Sequence, residues 1–329
     1  MVGFLFRIMI KGLSYMSWWG SKFKAKMKKT CYSIPDNKKY SQAEKKMTKG
    51  FLVITDLDNT LFQSHENDPS GLLPMSTDRD GKNYGYSRKD QSDLLSGLLS
   101  IGRIIPVTSR SHSQVERISG WKTGSDFDIA ISDLGANLLY RKNTENPDKD
   151  EWIAVKAWSD LYKDDIEKHN IKMIKDYKLI MSEIIPEAGL SSEVRVDLIA
   201  LGKAAVPFYF SMSVDPGSSV GIDYIMDRFA TPISTLSGIY SLEKKGNTIC
   251  FLPKFISKNK AVERLLEMIR DGVKDPDLRR IVKSLNAKES TVMTVGSDIA
   301  DHEFMKLGDI MVLSGKSPLA KKLADACTK

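Results

Sequence analysis

Five short runs of the chain are apolar almost throughout: 51–55 (FLVIT), 104–107 (IIPV), 129–132 (IAIS), 291–295 (TVMTV) and 310–313 (IMVL). A strand with one wet face alternates; a strand covered on both faces does not, and this second pattern is that of parallel sheets. Helical patterns lie between several of the runs. One spans 114–118 after a Ser-rich start. Another spans 260–269, where Ala261, Val262, Leu265, Leu266 and Ile269 recur at helical spacing. Strand and helix in alternation predict an α/β fold with a doubly wound parallel-sheet, Rossmann-like core and right-handed crossovers.

Roughly 160 residues separate the third run from the fourth, far more than one crossover needs. They contain alternating segments of their own, 206–214 (VPFYFSMSV) and 247–252, with a Pro/Gly/Ser loop at 215–219 between them. These predict an inserted α/β cap domain at 137–250, with the core domain made of 50–136 and 251–329.

The total charge of +7 is unevenly placed. Residues 1–49 hold twelve Lys or Arg against two acids, a net +10, which leaves −3 for the rest of the chain. The bulk basicity therefore gives the body no reason to bind nucleic acid. The leader's apolar stretch is broken by Arg7 and Lys11, short of the roughly 18–20 residues of a spanning helix. It reads either as an interfacial helix in peripheral contact with an anionic membrane, or as a disordered leader, a targeting segment or an upstream start codon. Three cysteines, Cys31, Cys250 and Cys327, are few and far apart. They argue against a disulfide framework or a cysteine zinc site and suit a reducing, cytoplasmic setting.

The chemistry-bearing residues stand where the apolar runs end. The first run leads into TDLDNT, with Asp56 and Asp58 two residues apart, at the strand end where open α/β sheets place their sites. By itself this is an acidic turn as readily as a site. The second run ends in VTSR, presenting Thr108 and Ser109 before a helix whose amides suit an anion; the bland reading is a helix cap. Lys258 lies in the first turn of a helix behind Ser257. A cation there opposes the helix dipole by about 0.3–1 kcal/mol, so it has no local structural purpose. TVMTVGSDIADHEF then supplies Gly296, Asp298 and Asp301 after the fourth run.

Two aspartates, a threonine, a lysine and an acidic loop, in that chain order at strand ends, resemble the four motifs of the haloacid dehalogenase-like superfamily. The resemblance covers about residues 50–320. An insert between the second and third motifs is similar to the subgroup with a large α/β cap. Within it, 132–142 (SDLGANLLYRK), 148–158 and 252–261 (LPKFISKNKA) are similar to segments of sucrose-6-phosphate phosphatase and related sugar phosphatases.

The resemblance implies a phosphoric monoester hydrolase. Asp56 is then the nucleophile that forms an aspartyl-phosphate, and Asp58 the general acid and base. Thr108, Ser109 and Lys258 bind the phosphoryl group. Magnesium is implied as cofactor, held by Asp56, Asp58 and an acidic residue of the fourth motif, Asp298 or Asp301. One departure stands out: the family commonly has Gly-Asp-x-x-x-Asp there, and Ser297 occupies the place of its first Asp. Asp298 reaching the metal after a one-residue shift, Asp301 binding it directly, and weakened magnesium binding remain alternatives. Leu134 flanks the site. The expected substrate is a small phosphate ester, sugar phosphates first, while the cap residues Arg195, Lys203 and Asp223 read as ordinary surface. A phosphosugar mutase or phosphotransferase, and a membrane-tethered non-catalytic binding protein, are the competing functions. Oligomeric state is not readable.

Overall fold

A computed structural model describes residues 50–63, 72–118, 127–142, 151–201, 206–215 and 217–327. The basic leader, with its membrane reading, lies outside the described residues, as does Lys203. No helix among the described residues is long and apolar enough to cross a membrane.

In chain order the strands are β1 (Phe51–Thr55), β2 (Leu73–Thr77), β3 (Asn83–Ser87), β4 (Gly102–Pro106), β5 (Phe127–Ser132), β6 (Asn137–Lys142) and β7 (Ile153–Ala154). They continue with β8 (Val194–Leu201), β9 (Val206–Val214), β10 (Tyr240–Lys245), β11 (Thr248–Pro253), β12 (Val292–Gly296) and β13 (Ile310–Leu313). The core sheet has the order β13-β12-β1-β4 and is parallel throughout. A parallel bridge between Val107 and Ile131 carries it on towards β5.

The apolar runs owe their composition to two-sided burial. Leu52 and Ile54 of β1 face one cluster with Ile105, Val107 and the helix residues Val262, Leu265 and Ile281. Val53, between them, faces the opposite cluster with Ile104, Met293 and the helix residues Leu95 and Leu98. Neither side of the strand sees water, so neither can be polar. Each such side chain contributes about 1.5–3 kcal/mol on burial. The amphipathic helix expected at 260–269 is Lys258–Asp271, with Ala261, Val262, Leu265, Leu266 and Ile269 all buried. The core is an α/β sheet wound on both faces.

A second sheet, β10-β11-β9-β8, is antiparallel. Its apolar face (Val194, Val196, Phe210, Met212, Ile249, Phe251) packs with Met173, Ile180 and Ile225 from helical segments on either side in sequence. Phe210 and Phe251 stack with ring centroids 4.3 Å apart. This is the inserted α/β unit.

Its limits differ from those read from the sequence. The expected start at 137 falls at β6, which pairs with β5 in a β5-β6-β7 sheet. Leu138, Val155, Trp158, Tyr162 and Ile166 join the cluster under the core sheet, and the second cluster begins only at Met173. Packing thus places the described residues 137–142 and 151–166 of the expected insert with the core. The end expected at 250 lies close to the observed change: Phe251 belongs to the second cluster and Ile256 to the first.

Candidate active site

The four motifs, scattered over some 250 residues of sequence, meet at one edge of the core sheet. Asp56 immediately follows β1, and its amide still donates to Val295 O of β12 at 2.9 Å. That bond holds the first and fourth motifs side by side. Asn59, with φ of 62°, turns the chain sharply after Asp58, a conformation that asparagine tolerates better than most residues.

Lys258 is the centre of the arrangement. Its Nζ donates to Asp56 Oδ1 at 2.7 Å and to Asp301 Oδ1 at 2.9 Å. All three side chains are buried, Asp301 completely. Burial pushes the Asp56 carboxyl up to about 6, against the opposing pull of Lys258. For Lys258, burial works to lower the pKa, but the charges of Asp56 and Asp301 prevail and hold it above its ordinary value. Here is the purpose that the helix dipole did not supply: one buried cation is shared between two carboxylates and offsets their mutual repulsion.

Asp301 turns its other oxygen, Oδ2, to the amides of Ser297 (3.2 Å) and Asp298 (3.0 Å), closing the fourth-motif loop on itself. Gly296 is required there: a Cβ would lie 2.6 Å from Met305 Sδ and 2.8 Å from Asp301 Cβ. Asp298 Oδ1 accepts from Ile299 N at 2.6 Å, as the cap of the short turn that follows. Thr60 Oγ1 lies 3.1 Å from Asp56 Oδ2 and 2.9 Å from Ser297 Oγ, linking Asp56 and the fourth-motif loop through one hydroxyl.

Thr108 is fully buried at the end of the β4 segment, where its Oγ1 accepts from Arg110 N at 3.0 Å. Ser109, half-buried, lines the cleft beside it. The motif's arginine escaped the sequence reading. Arg110 is buried, lies over the Phe62 ring at 4.8 Å, and grips Asp58 through Nε (2.9 Å to Oδ2) and Nη2 (2.8 Å to Oδ1). Its position directly after Thr108 and Ser109 was the available signal.

Asp133 is a second residue missed. It accepts from Ser132 Oγ (2.9 Å), Asn137 Nδ2 (2.9 Å) and the amide of His112 (3.1 Å). Burial raises its pKa, while those hydrogen bonds pull the other way. Asp133, Leu134 and Gly135 all have positive φ, of 51°, 60° and 112°. Leu134 flanks the cleft as expected. At Gly135 a Cβ would stand 2.7 Å from Ala261 Cβ and 2.8 Å from Ser257 O. Its absence lets the helix that carries Lys258 press onto this loop.

The site opens into a cleft of about 670 Å³. Asp56, Asp58, Ser109, Lys258, Asp298 and Asp301 line its floor, and Asp78, Arg79 and Tyr84 of the β2–β3 hairpin one wall. Tyr209, Glu243, Lys244 and Cys250 of the inserted unit lie across from them. Arg195 is paired with Asp197 on the surface, and Asp223 with Lys244.

The side chains around Asp56 present oxygen, which is what magnesium takes. Asp301 engages one oxygen with Lys258 and the other with the two loop amides. Asp58 likewise gives its carboxylate to Arg110. Among the described residues no three His, Cys, Asp or Glu side chains gather as a ligand cluster. The Asp56 carboxylate and the Ser297 hydroxyl, bridged by Thr60, are oxygen donors of the kind magnesium takes.

A parallel doubly wound core, an α/β unit inserted after the second motif and four strand-end segments converging on Asp56 are the architecture that the resemblance to the haloacid dehalogenase-like superfamily implies. Neither a family model nor a curated protein sequence matches the chain. Among solved structures it is similar to the C-terminal domain of Candida albicans trehalose-6-phosphate phosphatase, with 15% identity over 84% of this chain and 79% of that one, at a TM-score of 0.42. It is similar too to the sucrose-phosphatase of Synechocystis, with 13% identity over 85% of this chain and 97% of that one, at a TM-score of 0.37. A third likeness is to the C-terminal domain of a Candida albicans trehalose synthase regulatory protein, with 12% identity over 84% and 87% of the two chains and a TM-score of 0.45.

Proposed function

We propose that this chain is a magnesium-dependent phosphatase that hydrolyses a small phosphorylated metabolite, a sugar phosphate first, through an aspartyl-phosphate on Asp56. The observation that carries the reading is the buried Lys258, bonded at once to Asp56 and Asp301 in a cleft that Tyr209, Glu243 and Lys244 of the inserted unit also line.

An oxygen of Asp56 attacks phosphorus, and the ester P–O bond breaks. The leaving alkoxide takes a proton from Asp58. Asp58 then removes a proton from water, the resulting hydroxide attacks the aspartyl-phosphate, and Asp56 returns to a carboxylate as inorganic phosphate leaves. Arg110 holds Asp58 against the cleft wall in the resting state, and Asp58 leaves that pair before it donates. Thr108, Ser109 and Lys258 hold the phosphoryl oxygens and balance their charge. Bound magnesium would supply charge neutralisation between Asp56 and the phosphoryl group. Tyr209, Glu243 and Lys244 offer hydrogen-bonding groups to the alcohol, which suits a polyhydroxylated leaving group. We place the cap at about 167–253, following the packing.

The test is phosphate release from a panel of sugar phosphates in magnesium. Wild type should turn over at least one, and Asp56→Asn should lose about 10³-fold or more. Equal rates in the two proteins would overturn the reading.

Ser297 in the acidic position favours one other reading, a phosphate-binding protein without turnover. Trapping with beryllium fluoride separates the two, because an acyl-phosphate mimic on Asp56 requires a competent nucleophile.

A further inference from the structure

At about 670 Å³ the cleft has room for a whole small molecule beyond the phosphoryl group at its floor. One wall has a chemistry of its own. Asp78 and Arg79 of the β2–β3 hairpin form it, with Gln114 and Arg117 from the segment that follows Thr108. The hairpin is fastened to that segment. Thr77 donates its amide to Arg117 O at 3.1 Å and accepts from Arg117 Nε at 3.2 Å, and Ser76 bridges to Ile118. Asp78 closes the hairpin tip, its Oδ1 accepting from the amides of Asp80 and Lys82 at 2.9 Å each. A wall tied in this way is set before a ligand arrives, which lowers the cost of ordering it on binding.

What the wall offers is cationic. Arg117 gives only Nε to the hairpin, so its two Nη groups remain, and no carboxylate among the described residues pairs with Arg117 or with Arg79. Gln114 Oε1 accepts from Ser111 N at 2.8 Å, which leaves its amide nitrogen as the end that can donate to a ligand. The other acids of the cleft stand elsewhere: Asp56, Asp58, Asp298 and Asp301 on the floor, Glu243 on the inserted unit. Asp78 is the one acid of this wall, and its Oδ1 is taken by the hairpin's own amides. Arg110 serves the floor, where it holds Asp58. The helix His112–Glu116, about 7–8 Å long, separates it from Arg117, so the two guanidinium groups meet different parts of a ligand.

We infer that Arg79 and Arg117 form a subsite for a second anionic group on the substrate. This chain then favours phosphate monoesters whose alcohol carries a carboxylate or another phosphate over those of neutral sugars. The inference rests on the phosphatase reading, because it names the substrate class for the same cleft. Carboxylate and phosphate share the chemistry that guanidinium recognises, two oxygens side by side against two N–H donors.

The test compares phosphate release by the full chain, in magnesium, from glucose 6-phosphate, 6-phosphogluconate and fructose 1,6-bisphosphate, alongside calorimetric binding of the same three compounds. At least one of the two doubly anionic esters should show a kcat/KM about tenfold above that of glucose 6-phosphate, carried by KM. Which of them gains tells carboxylate from phosphate. The preference should narrow in high salt, because Arg79 is exposed. Arg79→Gln, at the hairpin tip, should cut the ratio about 3- to 10-fold. Arg117→Gln should do the same, and the Arg79 variant decides if loss of the Thr77 bond unfolds the Arg117 one. Equal kcat/KM for charged and neutral esters in wild type, or a ratio unmoved in a folded Arg79→Gln, overturns the inference. Failure of the parent reading looks different: if none of the esters is hydrolysed, the same ratios read as calorimetric affinities decide the subsite by themselves.

Discussion

Lys258 and Asp56 are 202 residues apart in sequence and 2.7 Å apart in space. The pair, with Asp301 as its third member, joins the first, third and fourth motifs in one buried charge cluster. Removing the cation should therefore unsettle the core as well as the chemistry.

Lys258→Met leaves Asp56 and Asp301 buried together without a counter-charge. A loss of about 3–5 kcal/mol is expected at pH 7 by denaturant unfolding. The loss should shrink towards pH 5, because Asp56, already pushed up to about 6 by burial, then takes up a proton more readily. A penalty independent of pH would contradict this account.

Asp58 is half-buried and paired with Arg110 at the cleft, and asparagine keeps its shape and hydrogen-bonding oxygen, so Asp58→Asn should fold normally. Its kcat for a sugar phosphate should fall by about 10²- to 10⁴-fold, the range of a missing general acid and base. A loss confined to KM would instead assign Asp58 to binding.

Gly135 has φ of +112° and no room for a methyl group beside Ala261 and Ser257. Gly135→Ala should cost about 1–3 kcal/mol. It should also lower activity, because relief of the clash moves the helix that carries Lys258. Full activity in a destabilised variant would separate the loop from the site.

His169 is buried against Tyr240 and Phe255, its Nε2 without a hydrogen-bond partner. Burial lowers its pKa, opposed by a hydrogen bond with the Phe208 backbone and by Asp176. A depressed folded value means that the unfolded chain binds the proton more tightly. The contribution is complete above the ordinary imidazole value of about 6.5 and is lost as pH falls through the lower folded value. Asp56 and Asp133, both raised, contribute in the opposite sense. The measurement is therefore a difference: His169→Gln should lose less stability than wild type between pH 7 and pH 5. Parallel curves would show that His169 does not titrate in this way.

The core strands and their site were legible because each reports a local necessity. Two-sided burial leaves β1, β4 and β12 little choice but apolar residues, whereas β13 is apolar although Ile310 and Met311 are exposed. Lys258 stands where the helix dipole gives it no local use, while Asp56 and Thr108 read equally well as turn and cap residues until taken together. Arg110 and Asp133 escaped notice because an arginine or an aspartate in a loop is ordinary in sequence; only the Asp58 pair and the buried hydrogen bonds distinguish them. The start of the inserted unit was misplaced because β6 and the segment around Trp158 are apolar in the same way whichever core they join. The β2–β3 hairpin was missed as well: its polar residues carry no periodic signal, and the hairpin matters through the wall it gives the cleft.

By itself, then, the sequence determined that this protein folds into a covered parallel sheet and that its reactive groups stand at strand ends, since burial and backbone chirality act locally. The tertiary structure alone decided which carboxylates remain to meet a ligand. Charge pairing depends on distances of about 3 Å between residues from distant parts of the chain. Those distances commit Asp301 to Lys258, and Asp58 to Arg110, and leave Asp56 facing a serine.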